Sequence, residues 1–447
     1  MARRTRWTRP TCGRLREVRA IYQRLVRADR SDQGETEQRI AARSGLRQIG
    51  AESLQASGDH IISARTVLPW LLTSVGAPAF LLGLLVPVRE SLSMLPQAAL
   101  APWVQGKRRR RGLWVLGALG QALAGVAMAL AGAFASGATA GVLVVAGLAF
   151  FSLSRALCSL AGKDVLGRTI PAGERGQISG ISTLLSGGAA ITLGLAIRVL
   201  GNDDVSERIL AVVVGAGAVL WVLAAVVFSG IAEPEVPAED RPDPDGPGWA
   251  AMAWSLVRDD RPFRRFVLVR GLLLVSSLSP PFVVAIAARE GETALSGLGP
   301  FVIAQGLASL IGGRFFGVWA DRSSRLLMTG SAAAASTIIV VLLLVLRTDV
   351  DASALFLFPL AYLLLALTHT ASRVARKTYV VDMADDENRT EYVAVANTAM
   401  GVILLVAGAI SGGLASLGHE VALVFLAVVG AAGVVIGRTL PEVSKRD

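Results

Sequence analysis

Long runs of apolar residues without a single charge are what this sequence could not carry into a water-soluble fold. Residues 113–134, 138–154, 209–231, 328–346, 354–367 and 421–436 are built almost wholly from Val, Leu, Ala, Gly and Phe. About 20 such residues in a helix cross the hydrocarbon of a bilayer. Four further runs, 176–200, 266–288, 295–319 and 392–417, have the same character with polar interruptions. Charged residues make up only 17% of the chain, where soluble domains carry about 25%. The chain is therefore read as an all-α membrane protein.

The stretch 49–105 is harder to divide. Gly76-Ala77-Pro78 is a helix-breaking triplet, so two spans are expected, 49–74 and 79–105. That makes twelve transmembrane helices. The first carries Asp59, His60 and Arg65, and the second Arg89 and Glu90.

The distribution of Lys and Arg tests this count. With twelve spans, one side of the membrane receives the N-terminal tail, Lys107–Arg111, the loop with Lys163, Arg168 and Arg175, the turn Asp321–Arg325 and the loop 373–389. The other side receives isolated basic residues. An excess of Lys and Arg in short loops marks the cytoplasm, so both termini are expected there, in a cytoplasmic (inner) membrane. The net charge of +10 thus reports topology, and without a basic face interleaved with aromatics no nucleic-acid partner is expected. Cys12 and Cys158 are too few for a disulfide framework. With three histidines and no HExxH, GxSxG or P-loop pattern, neither an enzyme, a metal site nor a cofactor is expected.

Residues 232–262 are acidic and proline-rich, as in an exposed linker. The domain reading is a basic tail 1–48, a six-helix bundle 49–231, the linker 232–262, a second six-helix bundle 263–440 and a tail 441–447. At a spacing of 214 residues the halves echo each other, with Lys163 on Lys377, Arg175 on Arg389 and Arg155 on His369.

Gly317-Val-Trp-Ala-Asp321-Arg322-Ser-Ser-Arg325 follows the eighth expected span and resembles the G-x-x-x-D-R-x-x-R loop of the major facilitator superfamily. Pro171-Ala-Gly-Glu174-Arg175-Gly176 resembles the family's entry to the fifth helix, and Gly58-Asp59 a Gly-Asp pair in the first. The first-half counterpart of the loop, Ala101 to Arg108, has Gln105 in place of the usual Asp, so an acidic partner for its basic run is missing there. The resemblance implies two six-helix bundles that rock about a mid-membrane site, with Gly317, Asp321, Arg322 and Arg325 acting as a conformational latch.

Ionisable residues inside spans are costly and mark function by default. Asp59, Arg89, Glu90, Arg155 and His369 are the expected substrate and proton path. Asp59 could carry a proton or pair with Arg65, and Arg89 or Glu90 could reach Arg155 or Asp59. Arg155 could hold an anionic substrate, neutralise Glu90 or snorkel to the interface. Arg198, Arg270 and Arg314 read as anchors, and Pro280-Pro281 as a kink. In the tail, Leu15, Val18, Tyr22 and Leu25 recur at helical spacing among arginines, as in a helix lying on anionic lipid or a solvated tail that only fixes topology.

The expected function is secondary active transport of a small organic solute, coupled to protons, with export favoured. Solute, protons and lipid are the expected partners, and a monomer the expected unit. The alternative is a helper of the same fold that delivers a lipid, a pigment or a partner membrane protein.

Overall fold

In lipid, a backbone must bond all its N–H and C=O groups internally, and the apolar runs do so as helices. The computed structural model describes residues 21–22, 25–26, 35–170, 172–200, 207–235, 254, 256–289, 295–348, 354–383 and 389–443. In the first half α1 is Glu35–Ile61, α2 Val67–Ser74, α3 Ala79–Met94, α4 Pro96–Gln105, α5 Arg111–Phe134, α6 Gly137–Thr169, α7 Ala172–Leu200 and α8 Glu207–Ser229. In the second, α9 is Arg261–Leu272, α10 Val275–Leu278, α11 Pro280–Arg289, α12 Leu295–Arg322, α13 Ser324–Val345, α14 Ala354–Met383, α15 Arg389–Ala415 and α16 His419–Gly437.

Among the described residues, nine stretches are long and apolar enough to cross a membrane, and Gly297–Gly312 in α12 is a shorter apolar one. The sequence count of twelve differs at the start of the chain, where neither of the first two segments is one continuous helix. Residues 62–66 leave the helix between α1 and α2, although the sequence reading runs 49–74 unbroken. Ser63 explains the break: its hydroxyl accepts from Arg65 N–H, at 3.2 Å, and its carbonyl from Leu68 N–H, at 3.0 Å. Such local bonds compete with the helical ladder.

The second break lies where the sequence puts it. Gly76 has φ +71°, the left-handed region a Cβ disfavours, and Pro78 caps α3. Gly137 N–H donates to Val75 O across 2.7 Å, tying this turn to the start of α6. The seventh segment is likewise split into α9, α10 and α11, with α11 opening on Pro280-Pro281. Proline has no N–H to give the preceding turn.

Two helices outrun their apolar stretches. The apolar run 138–154 continues as α6 to Thr169, and the run 354–367 continues as α14 to Met383. Arg155 and His369 therefore lie deep inside long helices rather than at their ends.

Helix packing repeats between the halves. α5 packs on α6 and α8, α3 on α6, and α1 on α7 and α8. In the second half α13 packs on α14 and α16, α12 on α14, and α9 on α15 and α16. Moving each element six segments along the chain turns one set into the other. The halves meet along two seams, α3 with α15 and α7 with α12, which exchange under the same operation. Glycine makes the second seam close: a Cβ on Gly194 would fall 2.8 Å from Gly299 O.

One end of the molecule is basic. There the N–H groups of Arg110 and Arg111 cap α5 onto the Glu233 carboxylate at 2.8–2.9 Å. The Arg325 Nη1 group donates to Leu440 O at 3.0 Å. At the opposite end α2 packs on α11, and Trp70, Phe301 and Tyr362 form a chain of rings at 6.2 and 5.6 Å. Leu116, Leu123 and Leu130 on α5 and Val424 and Val428 on α16 face outward, exposed, as an apolar belt for lipid.

The tail departs from the expected lipid-facing helix. Tyr22 and Val26 are fully buried against Ala42, Ile49, Ile170 and Ile178, while Ile21 and Leu25 are exposed. The Tyr22 hydroxyl donates to buried Glu174 Oε2 at 2.6 Å. Leu15, Val18 and Cys12 lie outside the described residues.

Candidate functional site

The break at 62–66 and the interiors of α1, α3, α6, α12 and α14 place their polar side chains in one cluster between the halves. Asp59 on α1 sits at its centre in the first half. Its Oδ1 takes Arg89 Nη2 of α3 at 3.2 Å, and its Oδ2 takes Arg155 Nη2 of α6 at 2.9 Å. The sequence offered Arg65 as a partner for Asp59 and Glu90 as one for Arg155. The structure pairs Arg65 Nη2 with Glu90 Oε1 instead, at 2.8 Å. Adjacent residues on α3 point about 100° apart, so Arg89 turns to α1 while Glu90 turns to the unwound segment. Arg89 also lies 4.8 Å from the ring centre of Phe151. Arg155 does not snorkel, because α6 continues well beyond it and its charge is met by Asp59.

The cluster crosses to the second half at two points. Arg65 Nη2 lies 3.1 Å from His369 Nε2 of α14. Arginine has only donors, so Nε2 accepts and the imidazole carries its proton on Nδ1. Gln305 of α12 makes the second crossing. Its Oε1 accepts from Ser63 at 2.9 Å, Thr66 at 3.2 Å and Tyr362 at 3.0 Å. Its amide nitrogen then donates to His60 Nδ1 at 2.7 Å.

All five residues expected from the sequence, Asp59, Arg89, Glu90, Arg155 and His369, meet in this cluster. His60, Ser63, Gln305, Tyr362 and Arg376 were missed. Arg376 is 8% exposed, with Nε donating to Ser372 O, and its charge reaches Glu90 together with that of Arg373. A helical spacing of four and seven residues from His369 would have flagged both arginines. Arg270, read as an anchor, is instead buried in α9, where it donates to Ala396 O at 3.3 Å and Asn397 Oδ1 at 3.2 Å. Arg314 has no described side chain.

The cluster is shut at the opposite end by the Trp70–Phe301–Tyr362 ring chain. Towards the basic end it is open to solvent. The side chains of Asp59, Arg65, Glu90 and Arg155 are all 22–28% exposed, and Arg373, one turn along α14 from His369, is exposed.

Of the expected latch, Gly317 and Asp321 lie in α12, and the Asp321 side chain is outside the described set. Arg322 is exposed. Arg325 Nε stands 3.7 Å from Glu442, and Ser323 bonds the same carboxylate. The first half has an acidic partner after all. Gln105 has no described side chain, but Arg110 pairs with Asp164 of α6. The carboxylate sits on a neighbouring helix rather than in the loop, where the motif looks for it.

The fold is shared with solved transporter structures. The family model for the Major Facilitator Superfamily matches residues 295–446. Structures of a POT family transporter in complex with a thioalcohol-conjugated peptide, of the nucleoside transporter NupG and of a D-xylose-proton symporter align with TM-scores of 0.67, 0.68 and 0.61. The identities are 11%, 11% and 14%; 89%, 89% and 91% of this chain are covered, and 95%, 99% and 97% of those chains. The fold is that of the major facilitator superfamily. No curated protein sequence matches the chain. The resemblance read from the loop at Gly317 thus extends to the architecture, a multi-pass helical membrane protein with a transporter fold.

Proposed function

We propose that this protein is a secondary active transporter that carries a small organic solute by alternating access, coupled to protons. The observation that carries the reading is the charged cluster at the seam. It binds the two halves to each other through Arg65 and Gln305, is open at one end and is closed at the other. A carrier needs such a site, since rocking of one half on the other moves it from one face to the other.

Three groups supply the proton chemistry. Glu90 and Asp59 are each matched by arginine while ionised, and protonation of either frees its partner. His369 accepts from Arg65 only while its Nε2 is bare, so a proton arriving there breaks the contact between halves. The basic end faces the cytoplasm, by the excess of Lys and Arg in its loops, and both termini lie on that side. The structure then corresponds to a cytoplasm-facing state, and the turn Gly317–Arg325 is a latch for the opposite state.

The test is proton movement in proteoliposomes loaded with a pH-sensitive dye and challenged with a broad solute panel. The wild type should show a solute-dependent pH change that Glu90→Gln abolishes. Solute-driven proton movement that survives in Glu90→Gln would remove this residue from the mechanism.

A further inference from the structure

The seam is richer in positive charge than its own carboxylates can balance. Arg65, Arg89, Arg155, Arg373 and Arg376 lie along it, against Asp59, Glu90 and Glu52, whose charge reaches Arg155 from α1. The first three arginines already hold Asp59 and Glu90, in pairs of 2.8–3.2 Å. Arg373 has no ion pair or hydrogen bond among the described residues. Arg376, nine-tenths buried, is bonded through Nε to a backbone carbonyl of its own helix. Arg155 Nη1 and Arg65 Nε are buried with no hydrogen-bond partner among the described residues. Unmatched guanidinium groups within a membrane are expensive, and they persist where a partner is to be supplied.

We propose that the transported solute carries a carboxylate or phosphate-type anion, and that this anion docks between Arg373 and Arg376 of α14 and Arg65 of the 62–66 break. The proposal rests on the transporter reading and specifies the chemistry of its site. A guanidinium is a planar fork of donors that matches two oxygens of a carboxylate or phosphate at once. Three such forks, two from the second half and one from the first, give the anion a hold on both halves together. Glu90 occupies part of this field in the empty protein and acts as the internal stand-in for the solute. When the anion arrives at Arg65, Glu90 loses its closest cation and becomes the easier group to protonate. Solute anion and proton then enter the same site by the same displacement, which gives the coupling a physical cause.

The test is binding of defined probes to the purified full chain in nanodiscs, followed by calorimetry. Succinate and glycerol 3-phosphate are the anionic probes, glycerol the neutral one and putrescine the cationic one. At least one anion should bind and the other two classes should not. Arg373→Gln should weaken that binding about tenfold or more, and Arg373→Lys should restore part of it. Arg373 is exposed, so its variants are expected to fold, and an unchanged melting temperature verifies this. Binding of glycerol or putrescine with equal affinity in wild type and Arg373→Gln would overturn the proposal. So would folded wild-type protein that binds neither anion. Counterflow of the bound probe in proteoliposomes separates the two readings. An anion that binds without exchange sinks the transporter and leaves the anion site standing. Exchange of a neutral or cationic solute, indifferent to Arg373, keeps the transporter and removes the anion.

Discussion

Arg65 and His369, 304 residues apart, meet across the seam between the halves at 3.1 Å, with the guanidinium donating to a bare ring nitrogen. The contact holds only while His369 is neutral, because a protonated imidazole would present a second cation to the first. Nδ1 of the same ring is buried and has no hydrogen-bond partner among the described residues, so none of them compensates on that side for a gained charge. The bond between halves should therefore weaken as the pH falls. Hydrogen exchange of the amides at 62–66, corrected for the intrinsic slowing of exchange in acid, should speed up as the pH falls in the wild type. In His369→Gln, whose side-chain oxygen accepts at any pH, the acceleration should be lost. A wild-type profile flat across the acid range would show that the contact does not titrate.

Asp59 holds two arginines from two different helices, so its loss should cost more than that of an ordinary ion pair. Asp59→Asn leaves Arg89 and Arg155 facing each other without a carboxylate between them. Removing one member of a fully buried pair typically costs about 3 kcal/mol or more, and with Asp59 22% exposed the cost here should fall somewhat below that. Thermal unfolding in detergent should show the drop. Asp59→Asn combined with Arg155→Leu should recover part of it, because one of the stranded charges is gone. A double variant no more stable than Asp59→Asn would mean that Arg155 is satisfied by something other than Asp59.

The glycine seam between α7 and α12 gives a prediction about conformation. A side chain at position 194 would press on the backbone at Gly299 and Ile303, which cannot move aside as a side chain would. Gly194→Val should cost about 1–3 kcal/mol and bias the protein against the state closed at this end. Leu298, fully buried nearby, reports the change. In a chain otherwise free of cysteine, Leu298→Cys should resist a membrane-impermeant thiol reagent and react readily once Gly194→Val is added. Equal labelling in both backgrounds would show that the seam does not hold this end shut.

Much of this architecture was legible in the sequence because lipid leaves the chain so few choices. Uncharged runs had to be helices, and the basic loops divided them. The candidate site was legible for the same reason: Asp59, Arg89, Glu90 and Arg155 stand out where a charge is costly. Their partners were legible only in part: Asp59 was offered to Arg89, and the pair forms, but the other pairings are decided by how far apart helices sit and which way they are turned. Asp59 is six residues from Arg65 yet bonds arginines 30 and 96 positions away. Gln305 and Tyr362 were invisible because uncharged polar residues are ordinary in membrane helices, and only the bonds that Ser63, Thr66 and Tyr362 give the Gln305 oxygen single them out. The break at 62–66 escaped notice because it contains neither glycine nor proline.

Tyr22 shows how the tail is fixed, and it gives the last test. The ring is wholly buried against Gly45 of α1, and its hydroxyl bonds Glu174 at the start of α7. A tail resting on lipid would keep its aromatic residue in the interface, whereas this one spends it inside the protein. Tyr22→Phe keeps the packing and removes only the hydrogen bond to a carboxylate, at a cost of about 1.5–3 kcal/mol. Tyr22→Ala removes both, and loss of a buried aromatic side chain costs about 3–5 kcal/mol. Since the tail is joined to the rest of the chain at this point, the cost falls on its docking rather than on global unfolding. Limited trypsin digestion should cut at Arg24 and Arg27 slowly in the wild type, faster in Tyr22→Phe and fastest in Tyr22→Ala, with the helical body intact in all three. The same cleavage rate in the three proteins would place the tail free of α1 and α7 in solution and return it to the membrane surface.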